Sequence, residues 1–188
     1  MNPLEVERRT RHWLQVMVVG ENLCPFAAQP LHSGLIRIAV CEAADDDGIY
    51  RAFLAEVQRL LDSAEGDLET TLLVCPQGLQ DFAHYLDMLA ALEHALAELR
   101  LEGVLQIASF HPDYVFADSE TDDPANYTNR APYPLFHLIR ESSISRVLQG
   151  VERPERIPQR NQQHMRALGL QRIRQLLAGA GGAAPDRD

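Results

Sequence analysis

The sequence predicts an α/β fold: three parallel strands joined by β-α-β crossovers, a fourth strand, and helices packed around the sheet in a single domain. Three observations carry this. Apolar runs end at Val40, Val74 and Phe110, so the first residues past them, Cys41, Cys75 and His111, stand 34 (75 − 41) and 36 (111 − 75) positions apart. Each gap holds one stretch of apolar residues at helical spacing, as a right-handed parallel crossover requires. A length of 188 residues suits one domain with a substantial core.

Asn2 and Pro3 suit an N-cap and a first helical position, and Trp13, Val16 and Met17 share one face of a helix that stops near Gly20. At residues 24–28, Pro25 opens a short helical turn with Cys24 as its cap. Residues 35–40 (LIRIAV) form the first strand. Residues 43–48, with three consecutive aspartates, are the turn and cap before a helix carrying Tyr50, Phe53, Leu54, Val57, Leu60 and Leu61. Residues 70–74 (TTLLV) form the second strand, and Cys75-Pro76-Gln77-Gly78 breaks it. A long helix then follows with Phe82, Tyr85, Leu86, Leu89, Leu92 and Leu99, and with His84 and His94 as surface or packing residues.

Residues 104–110 (VLQIASF) form the third strand, and residues 135–140 (LFHLIR) alternate enough for a fourth, with a helix starting at Pro134 as the competing assignment. Ser142 or Ser143 caps a helix through Val147 and Leu148. Pro154 and Pro158 punctuate a linker before a final helix over 159–177 bearing Met165, Leu168, Ile173 and Leu177. The expected organisation is therefore an α/β core over 1–150, a linker and C-terminal helix on or beside it over 151–178, and a disordered tail over 179–188.

A formal net charge of −10 and a pI near 5.1 set the chain against nucleic acid and anionic lipid as partners. From Ser143 to Leu177 seven arginines face two glutamates, yet a solvated helix face accounts for them better than a nucleic-acid patch. No apolar run approaches the roughly 18 residues of a membrane span, and the charged N-terminal segment does not read as a signal peptide. The expected setting is cytoplasmic, with Cys24, Cys41 and Cys75 as reduced thiols outside any disulfide or zinc-knuckle spacing.

All seventeen basic side chains are arginine. Without lysine there is no Schiff base, no pyridoxal phosphate anchor and no P-loop, and no GxGxxG, GxSxG or HExxH occurs. Chemistry must come from Cys, His, Asp, Asn, Tyr, Ser or Arg. Residues 109–140 concentrate these: two histidines, an Asp pair, two asparagines, two arginines and four prolines. A connection of more than twenty residues in a compact domain usually has a function, and the Asn-Tyr-Thr-Asn-Arg and Pro-Tyr-Pro runs give it a fixed shape.

In this stretch His111 is a candidate general base with Asp113 as its orienting carboxylate, provided Pro112 supplies the bend. His137 is the second candidate base, or else a packed core histidine; on a strand it shares a face with Leu135 and Ile139. Arg130 and Arg140 suit bidentate capture of carboxylate or phosphate, or pair with internal acids. His111, Asp113, Asp123 and His137 are a possible nitrogen and oxygen set for a divalent metal, although Asp122 and Asp123 before a proline also serve as capping residues. Cys24 is either a nucleophile, its thiolate favoured at the start of a helical turn, or a small buried apolar residue.

The residues resemble one known family, bacterial proteins catalogued as domain-of-unknown-function family 1415. The resemblance rests on Leu23-Cys24-Pro25-Phe26-Ala27, Glu69-Thr70-Thr71-Leu72-Leu73 and above all Ile107-Ala108-Ser109-Phe110-His111-Pro112-Asp113-Tyr114. It continues through Asp122-Asp123, Asn126-Tyr127-Thr128-Asn129-Arg130, Pro132-Tyr133-Pro134 and His137-Leu138-Ile139-Arg140-Glu141. It implies that Cys24, His111, Asp113, Asp123, Asn126, Asn129, Arg130, His137 and Arg140 belong to the family signature, and that Cys41 and Cys75 do not. Asp118 stands where the family carries a glycine.

The leading expectation is an enzyme acting on a small anionic or polar molecule, with Cys24, His111, Asp113 and His137 as catalytic groups. Asn126, Asn129, Arg130, Tyr133 and Arg140 are the substrate-binding candidates. A metal-dependent hydrolase or oxygenase and a non-enzymatic module that binds a ligand or a partner are the alternatives.

Overall fold

The computed structural model describes residues 1–149 and 153–179. Its centre is a four-stranded sheet of β1 (Ile36–Val40), β2 (Thr70–Val74), β3 (Leu105–Phe110) and β4 (Leu135–Arg140), in the spatial order β1-β2-β4-β3. β1 and β2 pair in parallel. β4 lies between β2 and β3 and runs antiparallel to both. The three strands expected from their spacing therefore do run the same way, and the fourth is inserted between the second and third. Residues 135–140 are strand, not helix.

Two crossover helices follow from local signals. In α3 (Asp46–Asp62) the Asp45 carboxylate accepts the Gly48 N–H at 2.8 Å, and in α4 (Phe82–Glu98) Asp81 accepts the His84 N–H at 2.9 Å, so the aspartates are N-caps. Their apolar stripes bury Ile49, Phe53, Val57 and Leu60 from α3 and Tyr85, Met88, Leu92 and Leu96 from α4 against Ala39, Leu73, Leu105, Phe136 and Leu138 of one sheet face. Leu61, Leu86 and Leu99, expected on those stripes, lie outside them and are exposed.

The other face is covered by the N-terminal and C-terminal helices. α1 (Pro3–Trp13) is capped by Asn2, whose side chain accepts the Leu4 N–H, and runs into a π-helical turn over Leu14–Val19. Val6, Trp13, Leu14 and Met17 pack there with Ile36, Leu72, Val74 and Leu135 of the sheet. A short helix, α2 (Ala28–His32), leads into β1. Past the sheet, α5 (Glu141–Leu148) begins two residues earlier than a Ser142 cap would start it, with Arg140 at the cap position. The last helix, α6 (Ile157–Ala178), adds Met165 and Ile173 to the second core and is broken at Gly169, whose φ of +77° is a conformation other residues rarely adopt. The result is a three-layer α/β/α arrangement with a core on each side of the sheet.

Of the expected disordered tail over 179–188, Gly179 is the C-cap of α6, and residues 180–188 lie outside the described residues. The linker's residues 151 and 152 lie outside them as well. No helix among the described residues is long and apolar enough to cross a membrane.

Candidate functional site

The long connection leaves the sheet at Phe110 and returns at Leu135, which are register partners, so both ends of the loop are fixed at the same edge. Tyr85 of α4 holds that point. Its hydroxyl accepts the Phe110 N–H and donates to the Leu135 carbonyl, both at 2.9 Å. Stacking on Phe136, with centroids 4.8 Å apart, sets the ring, and burial pushes its phenol above the ordinary range.

His111, fully buried, stands beside this bridge between the rings of Phe82 and Tyr85. Carbonyl oxygens only accept, so the 3.0 Å contact with the Leu79 carbonyl requires a proton on Nε2; Nδ1 then accepts the Asp113 N–H at 3.0 Å. The bend at Pro112 is present, and it brings the Asp113 backbone N–H onto the imidazole. His111 is thereby a neutral residue that ties the loop's first turn to the segment between β2 and α4.

Asn126 and Asn129 shape the rest of the loop. The buried Asn126 accepts the Phe116 N–H at 3.1 Å and donates to the Glu120 carbonyl at 2.8 Å. Asn129 donates from its side chain to Ser109 at 3.1 Å, and its carbonyl accepts the His111 N–H at 3.1 Å. Arg130 donates to the Tyr114 carbonyl at 3.0 Å and the Thr121 carbonyl at 2.8 Å, with its guanidinium over the Tyr127 ring. Its fork binds the loop's own backbone. Asp123 caps the 3-10 turn Pro124–Thr128 through the Ala125 N–H and pairs with Arg166 of α6 at 2.7 Å. That Arg166 bond holds the Asp123 carboxyl below its ordinary pKa. Asp118 lies in an exposed turn without a left-handed φ, so the backbone there accommodates an aspartate.

The remaining candidates are dispersed. His137 pairs in register with Leu72 and Ala108 in the middle of the sheet, on the face shared by Leu135 and Ile139 as its strand position predicts. The Thr70 hydroxyl donates to the Leu138 carbonyl at 2.5 Å, so the 2.6 Å contact with His137 is a bond donated by Nε2–H. Burial lowers the His137 pKa to about 4. Arg140 is at the opposite edge of the sheet from His111, because β4 runs antiparallel and Arg140 pairs with Leu105 at the start of β3. Its guanidinium donates to the carbonyls of Leu60, Ser63 and Leu68, where the C-terminal end of α3 offers partial negative charge. Tyr133 is buried in the core beneath α1. Cys24 precedes a turn rather than capping α2, whose N-cap is Ala27; the nearby Phe26 and Ala27 N–H groups favour its thiolate, yet burial is the larger influence and raises its pKa.

Among the described residues no three His, Cys, Asp or Glu side chains come together as a metal ion would require. His111, Asp113, Asp123 and His137 are thus not a common ligand set. The loop, the end of β3 and the start of α6 instead enclose a cleft of about 340 Å³ lined by Phe110, Phe116, Thr128, Asn129, Ile157 and Asn161, with Leu23 and Pro158 completing the wall. Asn161 donates to the Leu23 carbonyl at 2.6 Å, which fixes α6 beside the turn that carries Cys24. Of the sequence candidates only Asn129 lines this cleft.

One wall of the cleft comes from Thr128 and Asn129 of the NYTNR segment, another from Leu23, the residue preceding Cys24, and a third from Phe110 at the end of β3. Residues 5–175 match the family described as protein of unknown function, DUF1415. The chain belongs to this family. No curated protein and no solved structure matches it. Phe116, Ile157 and Asn161 carried no sequence signal for this DUF1415 cleft, since their meeting depends on α6 docking across the loop rather than on local pattern.

Proposed function

We propose that this DUF1415 protein is a small-molecule-binding module whose ligand occupies the cleft between the 111–134 loop and the start of α6. The observation that supports this most is how the signature groups are used. His111, Asn126, Asn129 and Arg130 spend their hydrogen bonds holding the loop, while the space they shape is walled by two phenylalanines and edged by Thr128, Asn129 and Asn161. Such a lining fits an uncharged ligand with an apolar body and a few hydrogen-bonding groups. It departs from the anionic substrate expected from Arg130 and Arg140, neither of which lines the cleft. Three free cysteines fit a cytoplasmic setting.

The test is ligand-detected NMR with a library of small aromatic and aliphatic amides, comparing the wild type with Ile157→Trp, which fills the cleft. Hits that bind the wild type and are lost in the variant, at unchanged thermal midpoint, support the module. Hits that bind both proteins equally place the ligand elsewhere and remove the reading.

A second reading, an enzyme with His137 as its base, has one specific observation behind it. With Nε2 donating to Thr70, Nδ1 keeps its lone pair, and the ring is neutral at pH 7. Turnover of a bound compound that disappears in His137→Gln would favour that reading over simple binding.

A further inference from the structure

Two cysteines come together at the carboxyl edge of the sheet. The parallel register of β1 and β2 ends at Val40 and Val74, and the Cys41 N–H donates to the Val74 carbonyl at 2.8 Å, so pairing continues one residue further. Cys41 and Cys75 are therefore the next neighbours across the two strands. Both belong to the buried cluster beneath α3 and α4, and both are free thiols. Neighbouring strands lie about 4.8 Å apart, within the roughly 4.4–6.8 Å between Cα atoms that a disulfide spans.

A simpler account treats them as two small apolar residues filling a core. Their juxtaposition argues against it: the pairing of β1 with β2 runs on to Cys41, both side chains sit in one buried cluster, and each thiol is the largest influence on the other's pKa. The Cys75 thiol, the largest cause, and the Ala43 N–H favour the Cys41 thiolate and hold its pKa down to about 7. Next to that charge, and fully buried, Cys75 is pushed well up. One sulfur is thus prepared to attack and the other to stay protonated beside it. Cys24 lies with the core on the opposite sheet face, where burial raises its pKa.

We propose that Cys41 and Cys75 form a reversible redox modification site that hydrogen peroxide converts to a disulfide. Cys41, 5% exposed against 0% for Cys75, is the sulfur that meets the oxidant, and peroxide is small enough to reach a nearly buried thiolate. The Cys41 thiolate attacks one peroxide oxygen; an S–O bond forms, the O–O bond breaks, and the departing hydroxide takes a proton to become water. The sulfur of Cys75 then attacks that of the Cys41 sulfenic acid, forming the S–S bond and breaking the S–O bond. The proton from Cys75 leaves with the hydroxide as a second water. Two electrons pass from the pair of sulfurs to one peroxide. A low-molecular-weight thiol reverses the step in two exchanges, releasing both cysteine thiols and one small disulfide.

The experiment treats the reduced full-length protein with a small excess of hydrogen peroxide, blocks remaining thiols by alkylation, and maps peptides by mass spectrometry. The expected result is a Cys41–Cys75 linked peptide with a loss of about 2 Da, the two thiol hydrogens, that dithiothreitol restores. Cys24→Ser should leave this linkage intact. Cys75→Ser should give a dimedone-trappable sulfenic acid at Cys41. Cys41 and Cys75 remaining fully alkylatable while Cys24 oxidises, or Cys41 passing to the sulfinic acid without linkage in the wild type, would overturn the proposal. Because the linkage is read in the wild type, a variant that folds poorly does not obscure the answer.

Discussion

The Nε2–H of His111 donates to the carbonyl of Leu79 at 3.0 Å, joining the loop after β3 to the segment between β2 and α4. Leu79 has a left-handed φ of +61°, a conformation disfavoured for leucine, so this bond supports a backbone that local preference opposes. His111→Ala leaves the Leu79 carbonyl and the Asp113 N–H without the imidazole in a buried setting. The expected loss is about 2–3 kcal/mol, measured as a fall in the urea midpoint with unchanged slope. An unchanged midpoint together with lost ligand binding would return His111 to a functional role.

For His137 the sign of the pH effect follows from burial. Its folded pKa of about 4 lies below the ordinary 6.5, so the unfolded chain binds the proton more readily. The contribution is fully present above pH 6.5 and is lost as pH falls toward about 4. Stability should decline across that window by on the order of 1 kcal/mol per pH unit. His137→Gln keeps a donor for Thr70 and removes the titration. Urea titrations at several pH values should show a shallower decline in the variant, and identical slopes would refute the assignment.

Arg140 places a largely buried guanidinium against the carbonyls that end α3. Arg140→Met removes the donor and the favourable charge from that helix end. A loss of about 2 kcal/mol is expected, seen as a lower thermal midpoint. Binding in the cleft should be unaffected, because Arg140 stands at the other edge of the sheet. Loss of binding at full stability would instead support the anion-clamp role its sequence position suggests.

Much of the fold was legible because its signals are local. Asp45 and Asp81 cap the helices that the spacing of apolar residues predicts, and three strand ends fall where equal crossovers put them. The place of the long loop was legible for the same reason: a strand ending at Phe110, followed by a loop rich in side chains that bond backbone, lies at a sheet edge whatever the partners of the strand. The roles of those side chains were not. A histidine near a strand end reads the same whether its nitrogens face a substrate or the Leu79 carbonyl.

The sequence by itself determined the elements, the direction of β1, β2 and β3, and the edge from which the long loop emerges, because capping, periodicity and chain length act within a few turns of the backbone. Only the tertiary structure decided that β4 enters between β2 and β3 in the opposite sense, and that single choice sends Arg140 to the far edge while keeping Leu135 beside Phe110. It likewise decided that Cys41 stands beside Cys75 across β1 and β2 and that α6 closes the cleft over Phe110 and Phe116. Contacts of this kind depend on strand register and on helix docking across more than thirty residues of chain. Those arrangements are fixed by the fit of whole surfaces, which no local pattern encodes.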